Sequence, residues 1–360
     1  MDFGVNRFAA AIVVAGAISA IEARSAAAED AARQADMVTH SSPTEKYSYS
    51  LEGYQVSSNA WGAGKLVEGR DFSTSVTFNP GNFQKGTSFS WKYPRSVGGV
   101  YAYPHIDFGS WAARVSSTQG ANMVRLASNY SVYLSNRSSS TVAFDFWFNS
   151  LPKGGWSTTS VELLIEVHAT DRGKPNQPFS LKSAGFEGGS VYVSNMSAAG
   201  ANWKFINVKT RADVMSGTLV LSDLIKELIW NGVLTGQEYL ASLQFGSEVR
   251  GGTGTLQIDK LSYDWTANPT ILGTSGDDTL STVPGGGNHV VGNGGADTAV
   301  YAGQYSNYQI KSAGPDVLIL TENKISSLDL LRGVAFIRFS DGEYDVARGR
   351  FVAGSSQVRN

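Results

Sequence analysis

The chain has 360 residues, 42% of them hydrophobic and only 17% charged, with 40 glycines, 11% aromatics and a formal net charge of −2. That is enough for one large domain and a small one around a real core, and the dispersed basic residues exclude a nucleic-acid or anionic-membrane footprint. There is no cysteine, so disulfides and thiolate metal sites are excluded. Low charge with abundant Gly, Ser, Thr, Tyr and Trp reads as an all-β, extracellular protein. Without disulfides, such a protein needs a large core, a bound ion, or both.

Phe8 to Ile21 is an apolar run after Arg7, followed by the small residues Ser25 to Ala28. It is shorter than the ~20 apolar residues that span a bilayer. Residues 1–28 therefore read as a secretory signal peptide, with no integral membrane association. Residues 29–48 are polar and aperiodic, as in a linker. From Tyr49 onward, over 49–267, short alternating runs are broken by Gly, Ser, Asn and Pro. They are Thr74–Phe78, Ser88–Tyr93, Val124–Tyr133, Val142–Phe148, Val191–Val193, Phe205–Lys209 and Leu256–Trp265. This spacing predicts a two-sheet antiparallel jelly-roll sandwich. One helix interrupts it: Ser222 as cap, Asp223 in the first turn, Leu224, Ile225, Leu228 and Ile229 as apolar face, Asn231 and Gly232 as stop. It is expected to pack on the sandwich without chemistry of its own.

Ser160 to His168 carries the chemistry. If it is a strand, Val161, Leu163, Ile165 and Val167 point to a core, and Glu162, Leu164, Glu166 and His168 point the other way. Two carboxylates and an imidazole on one face are costly unless they line a wet cleft. Glu248 follows Gln244 to Ser247 on a second segment. Two glutamates on two strands of one sheet are the minimum for cleaving a glycosidic bond. In Val142–Phe148, Asp145 and Trp147 share a face and Phe144, Phe146 and Phe148 take the other. Pyranose rings stack on aromatic faces, so Trp61 and Trp147, and more weakly Tyr103, are sugar platforms or core residues. His105, His168 and His289 lack metal-ligand spacing, so no zinc is assigned.

After Asn268 and Pro269 the character changes, and 268–360 reads as a separate unit. Gly273 to Leu280 and Gly292 to Val300 share a nine-residue frame with Gly276 or Gly295 at the fourth place and Asp278 or Asp297 at the sixth. Val283 to Val291 fits it with Gly286, and with Asn288 in place of Asp. This is the pattern of a short parallel β-roll, glycines turning corners and Asp277, Asp278, Asp297 and Asn288 offering hard oxygen to about one or two calcium ions. Tyr301 to Asn360 alternates again, in Val317–Thr321 and Val334–Phe339, as capping strands would.

At this point several segments, in order, resemble glycoside hydrolase family 12, the jelly-roll endoglucanases and xyloglucanases. Asn59-Ala60-Trp61-Gly62 looks like its early Asn-x-Trp-Gly, and Tyr103-Pro104-His105-Ile106 with Gly109 like its Tyr-Pro segment. Ala143 to Trp147 looks like the strand whose Asp supports the nucleophile, Val161 to Ile165 like the nucleophile strand, and Phe245 to Glu248 like the acid/base segment. Two places depart from the family pattern: Glu166 stands where it has Trp, and Val249 and Arg250 where it has Pro. The resemblance implies retaining hydrolysis of a β-1,4-glucan without a catalytic cofactor. Glu162 would be the nucleophile, Glu248 the acid/base ~5 to 5.5 Å away with a raised pKa, and Asp145 a hydrogen-bond support for Glu162. Asn59, Trp61, Tyr103, Trp147 and Glu166 would line the sugar sites. The tail resembles calcium-binding tails of Gram-negative proteins exported by type I secretion, which implies an extracellular place and that machinery as a partner. A non-catalytic glycan-binding module and a calcium-dependent surface protein are the alternatives.

Overall fold

The computed structural model describes residues 37–41, 46–49, 54–95, 99–108 and 118–354. The signal-peptide segment, most of the linker and Gly109 lie outside them.

The sandwich strands are β1 (Val38–His40), β2 (Lys46–Tyr49), β3 (Tyr54–Ser57), β4 (Ser73–Phe78), β5 (Thr87–Tyr93), β6 (His105–Phe108), β7 (Met123–Leu134), β8 (Val142–Asn149), β9 (Thr159–His168), β10 (Ser190–Ala198), β11 (Ala201–Lys209) and β12 (Ser216–Val220). Helix α1 (Leu221–Trp230) follows, then β13 (Tyr239–Gly246) and β14 (Gly252–Ala267). One sheet runs β1-β4-β5-β14-β7-β12 and the other β10-β11-β9-β8-β13-β6-β3-β2. The expected jelly roll is present. Two of its strands lie in the expected linker: β1 pairs with β4 and β2 with β3.

Period-two alternation builds the core. Phe144, Phe146 and Phe148 of β8, Val161, Leu163, Ile165 and Val167 of β9, and Leu243 and Phe245 of β13 are buried in one cluster. Each such side chain contributes roughly 1.5–3 kcal/mol on leaving water. The Phe144 and Phe245 rings stand 4.4 Å apart, and Tyr130 meets both at 5.2 Å. With those residues inside, Glu162, Glu166, Asp145, Trp147 and Gln244 must face out on the far side of the eight-stranded sheet.

The sheets are not wholly antiparallel: β11 pairs with β9 in parallel, Phe205 beside Glu162 and Lys209 beside Glu166. The cause is the β10–β11 hairpin. Ala199 and Gly200 both take positive φ, 46° and 81°, the geometry of a tight two-residue turn, and send β11 back along β9.

Helix α1 starts two residues earlier than the expected cap, Ser222, would place it. Val220 sits at its N-cap with no side-chain bond, because β12 runs straight into the helix. The Ser222 hydroxyl is left buried without a partner. Asp223 is in the first turn and Asn231 closes the end, as expected. The helix also meets the tail. Lys226 is fully buried, its ammonium on the carbonyls of Ser326 and, at 3.3 Å, Val124. Glu227 accepts from Lys182 N, Ser183 N and Ser183 Oγ at 2.6–2.9 Å.

The tail holds β15 (Ile271–Leu272), β16 (Thr279–Ser281), β17 (His289–Val291), β18 (Thr298–Val300), β19 (Tyr308–Ala313), β20 (Asp316–Thr321), β21 (Asp329–Arg332), β22 (Phe336–Phe339), β23 (Gly342–Asp345) and β24 (Arg350–Ala353). A parallel stack is present: β15-β17-β21 on one side, β16-β18-β22 on the other, with antiparallel strands closing each sheet. Thr279 lies beside Thr298 and Ile271 beside Val290, so one coil takes 19 residues rather than two nonapeptides. Leu318, Leu320, Leu328 and Leu330 join the sandwich's hydrophobic cluster, while Leu280, Val290, Ala299 and Ile337 fill the roll. The two units thus share a core at their junction. Polar ties cross it: His289 Nδ1 to Gln119 Oε1 at 2.8 Å and Gln237 Nε2 to Asp316 Oδ2 at 2.7 Å.

Candidate active site

Neighbouring strands bring the acids together. Glu162 of β9 stands opposite Trp147 of β8, and Asp145 opposite Leu164 and Gln244. Glu248 lies just past β13. Its segment is clamped on both sides: Thr141 N donates to Glu248 O at 3.0 Å, Val249 N to Ala102 O at 2.8 Å and Arg250 N to Ser139 O at 2.8 Å. Gly246 permits this approach, since a Cβ there would come 2.1 Å from Pro104 O.

Each carboxylate has one strong partner. Trp203 Nε1 donates to Glu162 Oε2 at 2.7 Å, Trp147 Nε1 to Asp145 Oδ2 at 2.9 Å, and Arg250 Nη2 to Glu248 Oε2 at 2.8 Å. The expected Asp145–Glu162 hydrogen bond is absent. Asp145 instead spends one oxygen on Trp147, and its other, Oδ1, is buried without a partner among the described residues. The two acids still communicate through charge, Glu162 acting on Asp145. Burial first, then the Glu162 charge, drives Asp145 well above the usual carboxylate range, against the Trp147 N–H. Burial also pushes Glu162 up to about 7; the Trp203 N–H pulls it down and the Glu248 charge raises it. Glu248 is raised by burial and pulled back by Arg250 and Lys209. Burial thus raises all three acids above the usual carboxylate range, and the charges of Glu162 and Glu248 add to it at Asp145.

The expected sugar-site residues divide. Trp61 is 65% exposed, on a loop where Asn59 takes φ 41° and its carbonyl accepts from Tyr103 N at 3.0 Å. Trp147 is half-buried against Trp156 and Trp203, ring centroids 5.5 and 5.8 Å away. Tyr103 is no open platform: it is buried, its hydroxyl donates to Ala143 O at 3.0 Å, and it stacks on His105. Glu166 is also closed to substrate. It is 3% exposed, accepts from Asn207 Nδ2 at 2.7 Å and has Lys209 Nζ at 3.8 Å, because side chains of the neighbouring strand β11 enclose it. Burial raises its pKa, with Asn207 and Lys209 opposing.

Sequence reasoning missed Trp203, Trp156 and Asn207. Trp203 and Asn207 sit on β11, where the alternation of Trp203, Phe205, Asn207 and Lys209 was the available signal. Two cavities lie beside partners of the acids, Trp203 and Arg250. One of about 640 Å³ is walled by Trp203, Met196 and Ser160, the other of about 670 Å³ by Arg95, Asn136, Ser138 and Arg250.

In the roll, the aspartates stack between coils. Asp278 N donates to Asp297 Oδ1 at 2.9 Å, Ala296 N to Asp277 Oδ1 at 2.7 Å and Thr274 N to Asp278 Oδ2 at 2.6 Å. Asn288 is elsewhere, spent on Val283 and Asp329 at 2.8–3.0 Å, so it does not join the other three. Asp297 Oδ2 is buried without a partner. A Cβ on Gly292 would sit 2.2 Å from it and 2.3 Å from Gly333 O; one coil earlier, a Cβ on Gly273 would sit 2.4 Å from Gly292 O and 3.2 Å from Asp278 Oδ2. These are repeated oxygen-lined cradles. No group of three or more acidic or histidine side chains suited to a metal occurs among the described residues, so carbonyls must supply much of any coordination.

No family model matches the chain. Endoglucanase S of Pectobacterium parmentieri is 24% identical over 237 residues, which are 62% of this chain and 86% of that protein. A family 12 xyloglucanase from Bacillus licheniformis superposes with a TM-score of 0.56 at 22% identity, covering 64% of this chain and 100% of the other. An endoglucanase from Rhodothermus marinus gives 0.52 at 18% identity and the same coverage. Strand order, the packed helix and these superpositions agree: the sandwich has the fold of the family 12 glycoside hydrolases.

Proposed function

We propose that the protein is an endo-acting, retaining β-1,4-glucan hydrolase. The observation that carries this reading is the set of Asp145, Glu162 and Glu248 on one sheet face, close enough that the Glu162 charge raises Asp145 and the Glu248 charge raises Glu162. The likeness to an endoglucanase in sequence and to endoglucanases and xyloglucanases in fold supports the substrate class. Glu162 attacks the anomeric carbon as its bond to the glycosidic oxygen breaks, and Glu248 gives that oxygen a proton. Glu248 then takes a proton from water, whose oxygen displaces Glu162. Asp145, buried and readily protonated, keeps a second full charge away from Glu162. Trp61, with the Trp147–Trp156–Trp203 cluster, offers apolar faces to sugar rings.

Reducing ends released from soluble β-1,4-glucan test it. Glu248→Gln should lower kcat by ~10²–10⁴-fold, the range for a lost general acid, and Glu162→Gln should be at least as damaging. Glucan binding that persists with no hydrolysis by the unaltered protein would instead favour a glycan-binding module. The first product detected by NMR should be the β-anomer; an α-anomer would refute retention.

The secreted location and the calcium belong to the same reading. The apolar Phe8–Ile21 run supports export, and the oxygen cradles at Gly273 and Gly292 support calcium in the roll. Asp278 and Asp297 would hold it, with carbonyls, as a structural ion. Asp277 would steady the corner beside them.

A further inference from the structure

Among the described residues Arg250 is the one side chain that bonds the Glu248 carboxylate, and a general acid held by a guanidinium is an anomaly. The contact is a single 2.8 Å bond from Nη2 to Oε2, not the two-pronged arrangement that makes an arginine–carboxylate pair hard to break. Arg250 Nε is buried and unpartnered among the described residues. The Arg250 side chain is 41% exposed and forms part of the wall of the cavity of about 670 Å³ that also holds Arg95 and Asn136. The guanidinium therefore has room to withdraw and little to hold it in place.

We propose that Arg250 is a positioning residue for the general acid, holding Glu248 as an anion in the free protein and withdrawing into the adjoining cavity when substrate occupies the cleft. This rests on Glu248 being the acid. With Arg250 in place, the charge is stabilised on the residue that must deliver a proton, while Glu162, which must be charged to attack, is pushed up to about 7. Withdrawal removes that stabilisation: Glu248, losing its counter-charge, takes a proton from solvent, and its charge no longer raises Glu162. Other groups around Glu248 do not supply this control. Asp145 of β8 and Glu162 and Glu166 of β9 are acids whose own ionisation the Glu248 charge opposes, so none of them stabilises that charge, and Tyr103 and His105 are tied to Ala143 O and Tyr103 O. Lys209 of β11 acts in the same sense as Arg250, but it is committed to Glu166 and Asp171 O.

The test is the pH profile of kcat/KM on a soluble β-1,4-glucan for the full chain and for Arg250→Gln, Arg250→Lys and Glu248→Gln. Activity falls at high pH when the acid loses its proton, so removing the guanidinium should move the alkaline limb upward, by about one pH unit. Arg250→Lys, which keeps the charge but shortens its reach, should move it less. An alkaline limb in Arg250→Gln at the unaltered protein's pH, beside a Glu248→Gln variant that is impaired, would refute the role of Arg250 alone. Full activity in Glu248→Gln would refute the assignment of the acid, and the role of Arg250 with it. Should Arg250→Gln fail to fold, an unmoved limb in Arg250→Met, which also removes the charge, overturns the proposal equally.

Discussion

Glu162 is held charged and buried by one indole N–H, and the cost is measurable. Its carboxyl is pushed from 4.5 to about 7 by burial. A carboxyl raised on folding favours the folded state below its unfolded pKa and loses that advantage as pH rises through the folded one. Glu162→Gln should therefore leave Tm unchanged near pH 4 and raise it near pH 8, where the unaltered protein bears the buried charge; about 1–3 kcal/mol is at stake. An equal Tm difference at both pH values would rule this out. Trp203→Phe keeps the ring and removes the donor, so Glu162 should rise further and the acidic limb of activity should move to higher pH. Glu162, Asp145 and Glu248 were legible because each interrupts a hydrophobic alternation. Trp203 and Asn207 were not, because nothing local says that β11 lies beside β9. Glu166 was misread for the same reason: on its strand it shares the face of Glu162, and only Asn207 and Lys209 from β11 show it enclosed.

Helix α1 was legible as an element and misjudged as a surface. Its apolar spacing marks one buried face, yet Lys226 and Glu227 are buried as well: the tail covers Lys226 at Ser326, and Lys182 and Ser183 of the sandwich cover Glu227. The apolar tail residues that cover it, Leu318, Leu328 and Leu330 among them, belong to the sandwich's own hydrophobic cluster. Leu330→Ala, at 1% exposure, should cost about 2–5 kcal/mol and lower the thermal transition of the sandwich itself, read through loss of hydrolytic activity on heating. A variant whose roll melts early while the sandwich keeps its Tm would show that the shared core carries no coupling. The cap was misplaced because a strand leading straight into a helix leaves no turn for Ser222 to close.

At the scale of the whole chain, the roll has a hydrophobic cluster of its own, Leu280, Val290, Ala299, Ile319 and Ile337 among it, so what calls for the proposed ion is its polar side. There Asp297 keeps an oxygen buried and, among the described residues, unpartnered above Gly292. An orphaned buried carboxylate oxygen costs free energy that a cation would return. Calcium that binds only the folded roll should stabilise by about 2.7 kcal/mol at a hundred times its Kd. Because the roll and α1 share a core, that gain should appear in the sandwich as well. Chelator should therefore lower the Tm of the full chain, and added calcium should restore it. Asp297→Asn, which removes the negative charge but keeps an acceptor for Asp278 N, should have a Tm that no longer responds to either. A wild-type Tm indifferent to chelator, or an Asp297→Asn variant that still responds fully, would leave the cradles as hydrogen-bonded corners and the roll as a packing element of the hydrolase fold.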